Sequence, residues 1–236
     1  MAVPDASRSH SSSPLTSSLA WGLWLWVAVT IWAAFYYAPL AAGFIGESSR
    51  ILFFHVPMAW TSFVAFIAAG VWSLRYLFGG RRTEHDRAAT AAVELGMVFC
   101  ILATVTGALW ARIMWGAYWN WDPRQISITL ALLFYAAYLV LRGAVEDPDA
   151  RARLSAAYAA LGLIVAPFLF FVLPRITFSL HPESVINAQG KVEMESRMLQ
   201  VLLSGSAAFT AFFFWLHNLR CRIAALAERD AAEKEA

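Results

Sequence analysis

Residues 115–124 have the sequence Trp-Gly-Ala-Tyr-Trp-Asn-Trp-Asp-Pro-Arg, and they join an apolar run that ends near Trp110 to another that begins at Gln125. The stretch places four aromatic rings and a carboxylate within ten positions. A turn between two helices does not need this surface for its own packing. The rings form either an aromatic belt at the level of the lipid headgroups or a platform for a large planar ligand. Because belts spread their rings around a protein, the concentration in one loop favours the platform.

The composition predicts an integral membrane protein. Of the 236 residues, 60% are hydrophobic and 14% are charged, and the mean hydropathy is +0.57, which is far from the average of soluble domains. Apolar runs long enough to cross about 30 Å of hydrocarbon as helices are residues 19–38, 51–78, 88–110, 125–141, 154–172 and 196–217. We therefore expect an all-α polytopic protein, a bundle of six transmembrane helices with both termini on the same side.

The basic residues predict which side that is. Of 18 Lys and Arg residues, 12 fall on the side of the termini and 6 on the other side. Basic residues accumulate in cytoplasmic segments, so we expect cytoplasmic termini and an outward-facing loop at residues 111–124. The net charge of +2 is small and is not gathered in one patch, which argues against nucleic acid as a partner and leaves the lipid bilayer.

The chain divides into three predicted regions. Residues 1–18 are polar and Ser-rich and are expected to form a disordered cytoplasmic N-terminus, residues 19–217 the transmembrane domain, and residues 218–236 a solvated cytoplasmic tail. A cleaved signal peptide is disfavoured because the run from Leu19 is long enough to stay as a span. Cys100 and Cys221 fall at different levels of the membrane, which argues against a disulfide or a Cys-based metal site.

The five histidines separate into two groups. His10, His85 and His217 fall on the predicted cytoplasmic side, whereas His55 and His181 fall on the outer side, one before and one after the Trp-rich loop. Two outward imidazoles beside an aromatic platform match the needs of haem, whose iron takes axial nitrogen ligands and whose macrocycle takes flat apolar contact. We therefore predict that His55 and His181 are axial haem ligands, against the alternative that each is structural.

The remaining predicted site residues surround this pair. The platform is expected to comprise Trp115, Tyr118, Trp119, Trp121 and Asp122, with Arg50, Arg112, Arg124 and Arg175 as candidate partners of the haem propionates. Asp122, followed by Pro123 and then Gln125, also has the form of a capping box at a helix start, a role compatible with the first. Near His55, Pro57 is expected to leave backbone carbonyls free to bond the imidazole.

Three segments carry a resemblance to a known family. Val105-Thr106-Gly107 together with residues 114–124 resembles the tryptophan-rich WWD signature of haem-handling membrane proteins. Residues 50–57 and Leu180-His181-Pro182 resemble the two histidine segments that flank this signature. With six predicted spans, the chain is similar to the C component (CcmC) family of the cytochrome c maturation system. In that family the two histidines ligate haem iron and the signature loop supports the edge of the macrocycle.

The resemblance implies a haem-delivery protein without enzymatic activity. It implies that haem b is held transiently and without a covalent bond on the outer face of the bacterial inner membrane and passed to the haem chaperone CcmE. The platform residues are then also candidate contacts with this chaperone. It also implies the ABC transporter subunits CcmA and CcmB and the small subunit CcmD as partners. Two residues depart from the family pattern: Tyr118 stands where Trp is usual and Pro123 where Ala is usual, and both choices resemble those of the larger WWD synthetases. Residues 173–179 also lack the pair of Trp residues that the family pattern leads us to expect.

Two other functions remain open. One alternative is a cytochrome c haem lyase, because the sequence also resembles the lyases of the WWD family. Those lyases are longer chains with a second pair of histidines near or within the membrane, and this sequence has no second pair that is outward-facing or in the middle of a span. A bis-histidine electron carrier usually places its ligands inside the bundle on facing helices, whereas His55 is predicted to be shallow and His181 to lie in a loop.

Overall fold

The computed structural model describes residues 14–181, 192 and 194–235. The helices are α1 (Pro14–Tyr36), α2 (Leu52–Phe78), α3 (Thr83–Trp115), α4 (Pro123–Ala144), α5 (Pro148–Pro167), α6 (Leu173–Ile176) and α7 (Ser196–Glu235). A 3-10 helix, Gly46–Ile51, leads into α2, and a π-helix, Phe168–Val172, joins α5 to α6. Most of the predicted disordered N-terminus lies outside the described residues, but residues 14–18 belong to α1.

The predicted bundle of six spans is confirmed. Six helices are long and apolar enough to cross a membrane, and α5, the π-helix and α6 together make one of them. Their ends differ from the prediction because helical hydrogen bonding does not stop where the hydrocarbon stops. α3, for example, begins at Thr83 instead of residue 88 and ends at Trp115 instead of residue 110.

The last helix crosses the predicted border between the membrane domain and the tail. α7 continues without a break to Glu235, so residues 218–235 are a helical extension of the last span. The sequence of this extension is rich in Ala, Glu and Arg, which are strong helix formers. An ion pair of 2.6 Å between Arg87 Nη1 and Glu228 Oε2 joins it to α3.

Small residues allow the central helices to approach closely. The rings of Phe66 on α2 and Tyr135 on α4 stack with centroids 3.7 Å apart. A Cβ atom on Gly96 of α3 would lie 2.7 Å from the Phe66 ring, and Gly162 of α5 faces the Tyr135 hydroxyl in the same way. Close packing of this kind is the main source of helix association in lipid, where there is no hydrophobic effect between helices.

Ion pairs join the helices at the end of the bundle that carries the termini. Arg142 on α4 binds the Asp86 carboxylate of α3 through two hydrogen bonds of 2.7 and 2.9 Å. Arg220 on α7 pairs with Glu94 on α3, with 2.8 Å between Nε and Oε2. The partner offsets the cost that a carboxylate within a span would otherwise carry.

The opposite end of the bundle brings the predicted site segments together. Consecutive spans run in alternating directions, so α2 and α4 begin at this end while α3 and α6 end there. His55 lies in the first turn of α2, the Trp-rich loop joins α3 to α4, and His181 follows α6.

Candidate functional site

A cavity of about 270 Å³ lies between α2, α3, α4 and the π-helix at this end. Its volume is close to the lower limit of small-molecule sites. Both predicted ligands, His55 and His181, line it. The wall also contains indole rings from three segments of the chain, namely Trp60, Trp110, Trp115 and Trp119.

His55 is fixed between two helices. Its Nδ1 lies 2.9 Å from the carbonyl oxygen of Ala103 on α3 and 3.2 Å from Thr106 Oγ1. The carbonyl can only accept, so Nδ1 donates, and in the neutral imidazole Nε2 then keeps a lone pair for a metal. The prediction that backbone carbonyls near Pro57 of α2 bond the imidazole is wrong, because His55 Nδ1 bonds the Ala103 carbonyl of α3 instead.

Gly107 provides the space for the His55 ring. A Cβ atom at this position would lie 2.8 Å from His55 Cε1 and 3.3 Å from Nδ1. Within the segment Val105-Thr106-Gly107, Thr106 thus places a hydroxyl group beside the His55 imidazole, and Gly107 leaves the space that the ring occupies. This gives the first part of the signature a physical role that its sequence does not reveal.

His181 follows α6 and lies outside any helix. Its ring centroid is 5.2 Å from that of Trp110, at an interplanar angle of 31°, and 6.1 Å from that of Trp115. The centroids of His55 and His181 are 6.3 Å apart, with an interplanar angle of 26°. The structure therefore brings together two side chains separated by 126 positions in the sequence.

Asp122 caps α4, as its sequence predicts. Its carboxylate accepts the Arg124 N–H at 2.9 Å, and the Gln125 side chain accepts the Asp122 N–H at 3.3 Å, which completes the capping box. Asp122 is only 5% exposed and does not line the cavity.

The same carboxylate binds the segment that precedes His181. It accepts hydrogen bonds from Ser179 Oγ at 2.9 and 3.0 Å and from Leu180 N–H at 2.7 Å. The His181 N–H in turn donates to Ser179 Oγ at 3.1 Å. Asp122 therefore joins the Trp-rich loop to the segment that carries the second histidine.

The rings of the loop divide into two groups. Trp115 and Trp119 line the cavity, whereas Tyr118 and Trp121 are 57% and 66% exposed. Trp121 also has a φ angle of +61°, in the left-handed region that bulky residues rarely adopt. Its ring packs edge-on against Trp119, with centroids 5.9 Å apart.

Of the four candidate arginines, Arg124 lines the cavity. Its buried Nε has no hydrogen-bond partner in the part of the chain that the structure describes. Arg50 donates to the carbonyl oxygens of Ala34 and Ala38 at the end of α1. Arg112 donates to the Gly116 carbonyl and Arg175 to the Phe171 carbonyl, and Arg50, Arg112 and Arg175 do not line the cavity.

Several residues of the site were missed by sequence reasoning. Trp110 falls at the end of a predicted span and was not among the predicted site residues, although it is 6% exposed and packs on His181. The spacing of Ala103, Gly107 and Trp110 places them on one face of α3, a pattern from which Trp110 was predictable. The contact of Ser179 with Asp122 had no comparable pattern, because the two residues are 57 positions apart.

Comparison with known proteins gives one family. A family model described as heme exporter protein C (CcmC) matches residues 2–236. The chain is 36% identical to the heme exporter protein C of Bradyrhizobium diazoefficiens, over 73% of this chain and 65% of that protein. It is 32% identical to the heme exporter protein C of Rhodobacter capsulatus, over 84% of this chain and 81% of the relative. The chain therefore belongs to the heme exporter protein C family.

Proposed function

We propose that this protein binds haem b transiently and non-covalently between His55 and His181 at the outer face of the bacterial inner membrane and delivers it to the haem chaperone CcmE. The separation of the two rings carries the proposal. Metal–imidazole bonds are about 2 Å long, so two imidazoles on opposite sides of one iron have centroids about 6 Å apart. The centroids of His55 and His181 are 6.3 Å apart.

The cavity wall supports haem as the ligand. Trp115 and Trp119 offer flat apolar contact, which a macrocycle requires. Arg124 is suited to a propionate because its buried Nε has no partner among the described residues, and a buried donor of this kind is costly until it is paired. Arg50, Arg112 and Arg175 instead bind backbone carbonyls, which makes Arg124 the preferred propionate contact.

The exposed side of the loop supports a protein partner. Tyr118 and Trp121 present apolar rings away from the cavity, and exposed aromatic residues are enriched where proteins associate. We assign this surface to CcmE. The family membership also supports assembly with the ABC transporter subunits CcmA and CcmB and the small subunit CcmD.

The arrangement of the other histidines favours delivery over a haem lyase. His217 Nε2 bonds the Ala88 carbonyl at 2.8 Å, and His85 packs against Trp72. Each belongs to a separate contact at the end of the bundle that carries the termini, so within the described residues they do not form a second ligand pair. His10 lies outside the described residues.

The test is a series of alanine variants, assayed for haem retention and for transfer of haem to CcmE. A six-coordinate iron needs both ligands, so His55→Ala and His181→Ala should each abolish transfer, and the double variant should be little worse than either. His10→Ala, His85→Ala and His217→Ala should retain the wild-type spectrum. Full transfer by either His55→Ala or His181→Ala would contradict the assignment of that ligand.

A further inference from the structure

We infer that Asp122 is a positioning residue for His181, and that His181 is therefore the releasable ligand while His55 is the fixed one. The inference rests on the proposed function and concerns how haem leaves the site. It assigns to Asp122 a role distinct from direct contact with haem, because Asp122 does not line the cavity.

The two histidines are held in different ways. His55 lies within α2, and its ring bonds the backbone of α3 through Ala103 and packs on Gly107. Moving the ring breaks its hydrogen bond to Ala103 and its close contact with Gly107, both on a helix packed against α2. His181 lies outside any helix, and its segment is bound to the rest of the site through Ser179 and Leu180 at the Asp122 carboxylate.

The contacts of Asp122 exceed what a helix cap requires. Asp147 provides the comparison within this chain, because it also precedes a proline and caps the next helix, α5. It does so through one hydrogen bond of 2.7 Å from the Ala150 N–H, at an exposed position. Asp122 is buried and accepts from Arg124, Ser179 and Leu180 together. A buried carboxylate is tolerated when its oxygens are bonded in this way, so the Ser179–Leu180 segment and the carboxylate stabilise each other.

The position of Asp122 connects His181 to the exposed part of the loop. Asp122 directly follows Trp121, whose ring is 66% exposed and whose backbone is in the left-handed region. A protein that engages the Trp121 ring therefore acts on the residue next to the carboxylate. Displacement of Asp122 would free Ser179 and Leu180 and so release the segment that carries His181, while His55 would stay bonded to Ala103 of α3.

The experiment uses substitutions that keep the cap but weaken (Asn) or remove (Ser) the contact with the His181 segment. Asn and Ser both cap helices well. Asn has a single acceptor oxygen in place of two, and Ser is too short to reach the segment. The full-length protein carrying Asp122→Asn or Asp122→Ser is purified with haem and compared with Asp147→Asn, the matched cap control, by resonance Raman spectroscopy and by the rate of haem loss to apomyoglobin.

We expect both Asp122 variants to lose the six-coordinate low-spin markers and to resemble His181→Ala. Added imidazole should restore those markers, because it replaces the missing ligand. Loss of an outer-shell partner typically weakens metal binding 10- to 100-fold, so haem loss should become at least about tenfold faster. Asp147→Asn should match the wild type. If the Asp122 variants do not accumulate, Ser179→Ala carries the test, with the same spectral change and the same response to imidazole.

Two results would overturn the inference, and they differ in meaning. Wild-type spectra and haem loss in the Asp122 variants, or in Ser179→Ala when that variant carries the test, would show that Asp122 does not position His181 and would leave the bis-histidine site intact. Absence of a six-coordinate spectrum in the wild type itself would overturn the proposed function together with this inference.

Discussion

Three residues of α3 hold His55 in position, and the sequence alone does not show that they contact it. Ala103 accepts from Nδ1, Thr106 Oγ1 lies beside it, and Gly107 leaves room for the ring. That His55, His181, Trp115 and Trp119 would lie together was predictable from their residue types and from their placement on one side of the membrane, whereas Tyr118 and Trp121 do not line the cavity. The partners of His55 were not, because they depend on the register between α2 and α3, which hydropathy does not determine.

Gly107 offers a direct test of this packing. Gly107→Ala would place a methyl group 2.8 Å from His55 Cε1, so the imidazole should be displaced and haem retention should fall by roughly 10- to 100-fold. The Soret absorbance per protein after purification measures the loss. Gly143→Ala on α4 is the matched control, because a Cβ atom there meets nothing within 4 Å. Equal haem content in the two variants would show that the contact with Gly107 does not hold His55.

Trp119 and Trp121 should behave differently although they are two positions apart. Trp119 lines the cavity, so Trp119→Ala should weaken haem binding by about 1–3 kcal/mol, the amount expected for one buried ring. Titration of the apoprotein with haem gives this difference. An unchanged affinity would mean that the ring belongs to an aromatic belt.

Trp121 is tested with glycine, because its φ angle of +61° suits glycine without strain. Trp121→Gly removes the exposed ring and also relieves the backbone, so insertion and the haem spectrum should be preserved while transfer to CcmE falls. The rate of transfer to purified CcmE is the measurement. If Trp121→Gly instead lost bound haem while its remaining haem was transferred at the wild-type rate, Trp121 would act in haem binding and not in contact with CcmE.

At the scale of the helices, hydropathy predicted the number of spans but not their ends. α3 and α7 extend beyond the predicted spans because their flanking residues favour helix and find ionic partners, as Glu228 does with Arg87. The cap of α4 was predictable because a capping box is a local pattern. The contact of its Asp122 with Ser179 was not, since it joins segments that are distant in the chain.

The ion pair between α3 and α4 should contribute measurably to stability. Asp86 and Arg142 have side chains that are each 17% exposed, so Asp86→Ala leaves a largely buried guanidinium without its partner. We expect a loss of about 2 kcal/mol, seen as a lower melting temperature in detergent. Asp230→Ala, which removes a pair whose side chains are 71% and 77% exposed, should leave the melting temperature unchanged. Equal melting temperatures for the two variants would assign no stabilising role to the α3–α4 pair.

For the whole molecule, the distribution of basic residues predicts the orientation in the membrane. Asn120 lies in the Trp-rich loop and Ala232 in the extension of α7, and both are exposed. In a Cys221→Ser background, a membrane-impermeant maleimide added to intact spheroplasts should label Asn120→Cys and not Ala232→Cys. Inverted vesicles should give the opposite pattern. Labelling of Ala232→Cys in spheroplasts would reverse the assignment of sides.

The proposed function requires that His55 and His181 hold one iron between them. Near-infrared magnetic circular dichroism of the ferric, detergent-purified protein tests it most directly, because the energy of the charge-transfer band identifies the axial ligand pair. We expect a bis-imidazole band in the wild type that disappears in both His55→Ala and His181→Ala. A band of another ligand pair, or a bis-imidazole band that survives in either variant, would contradict it.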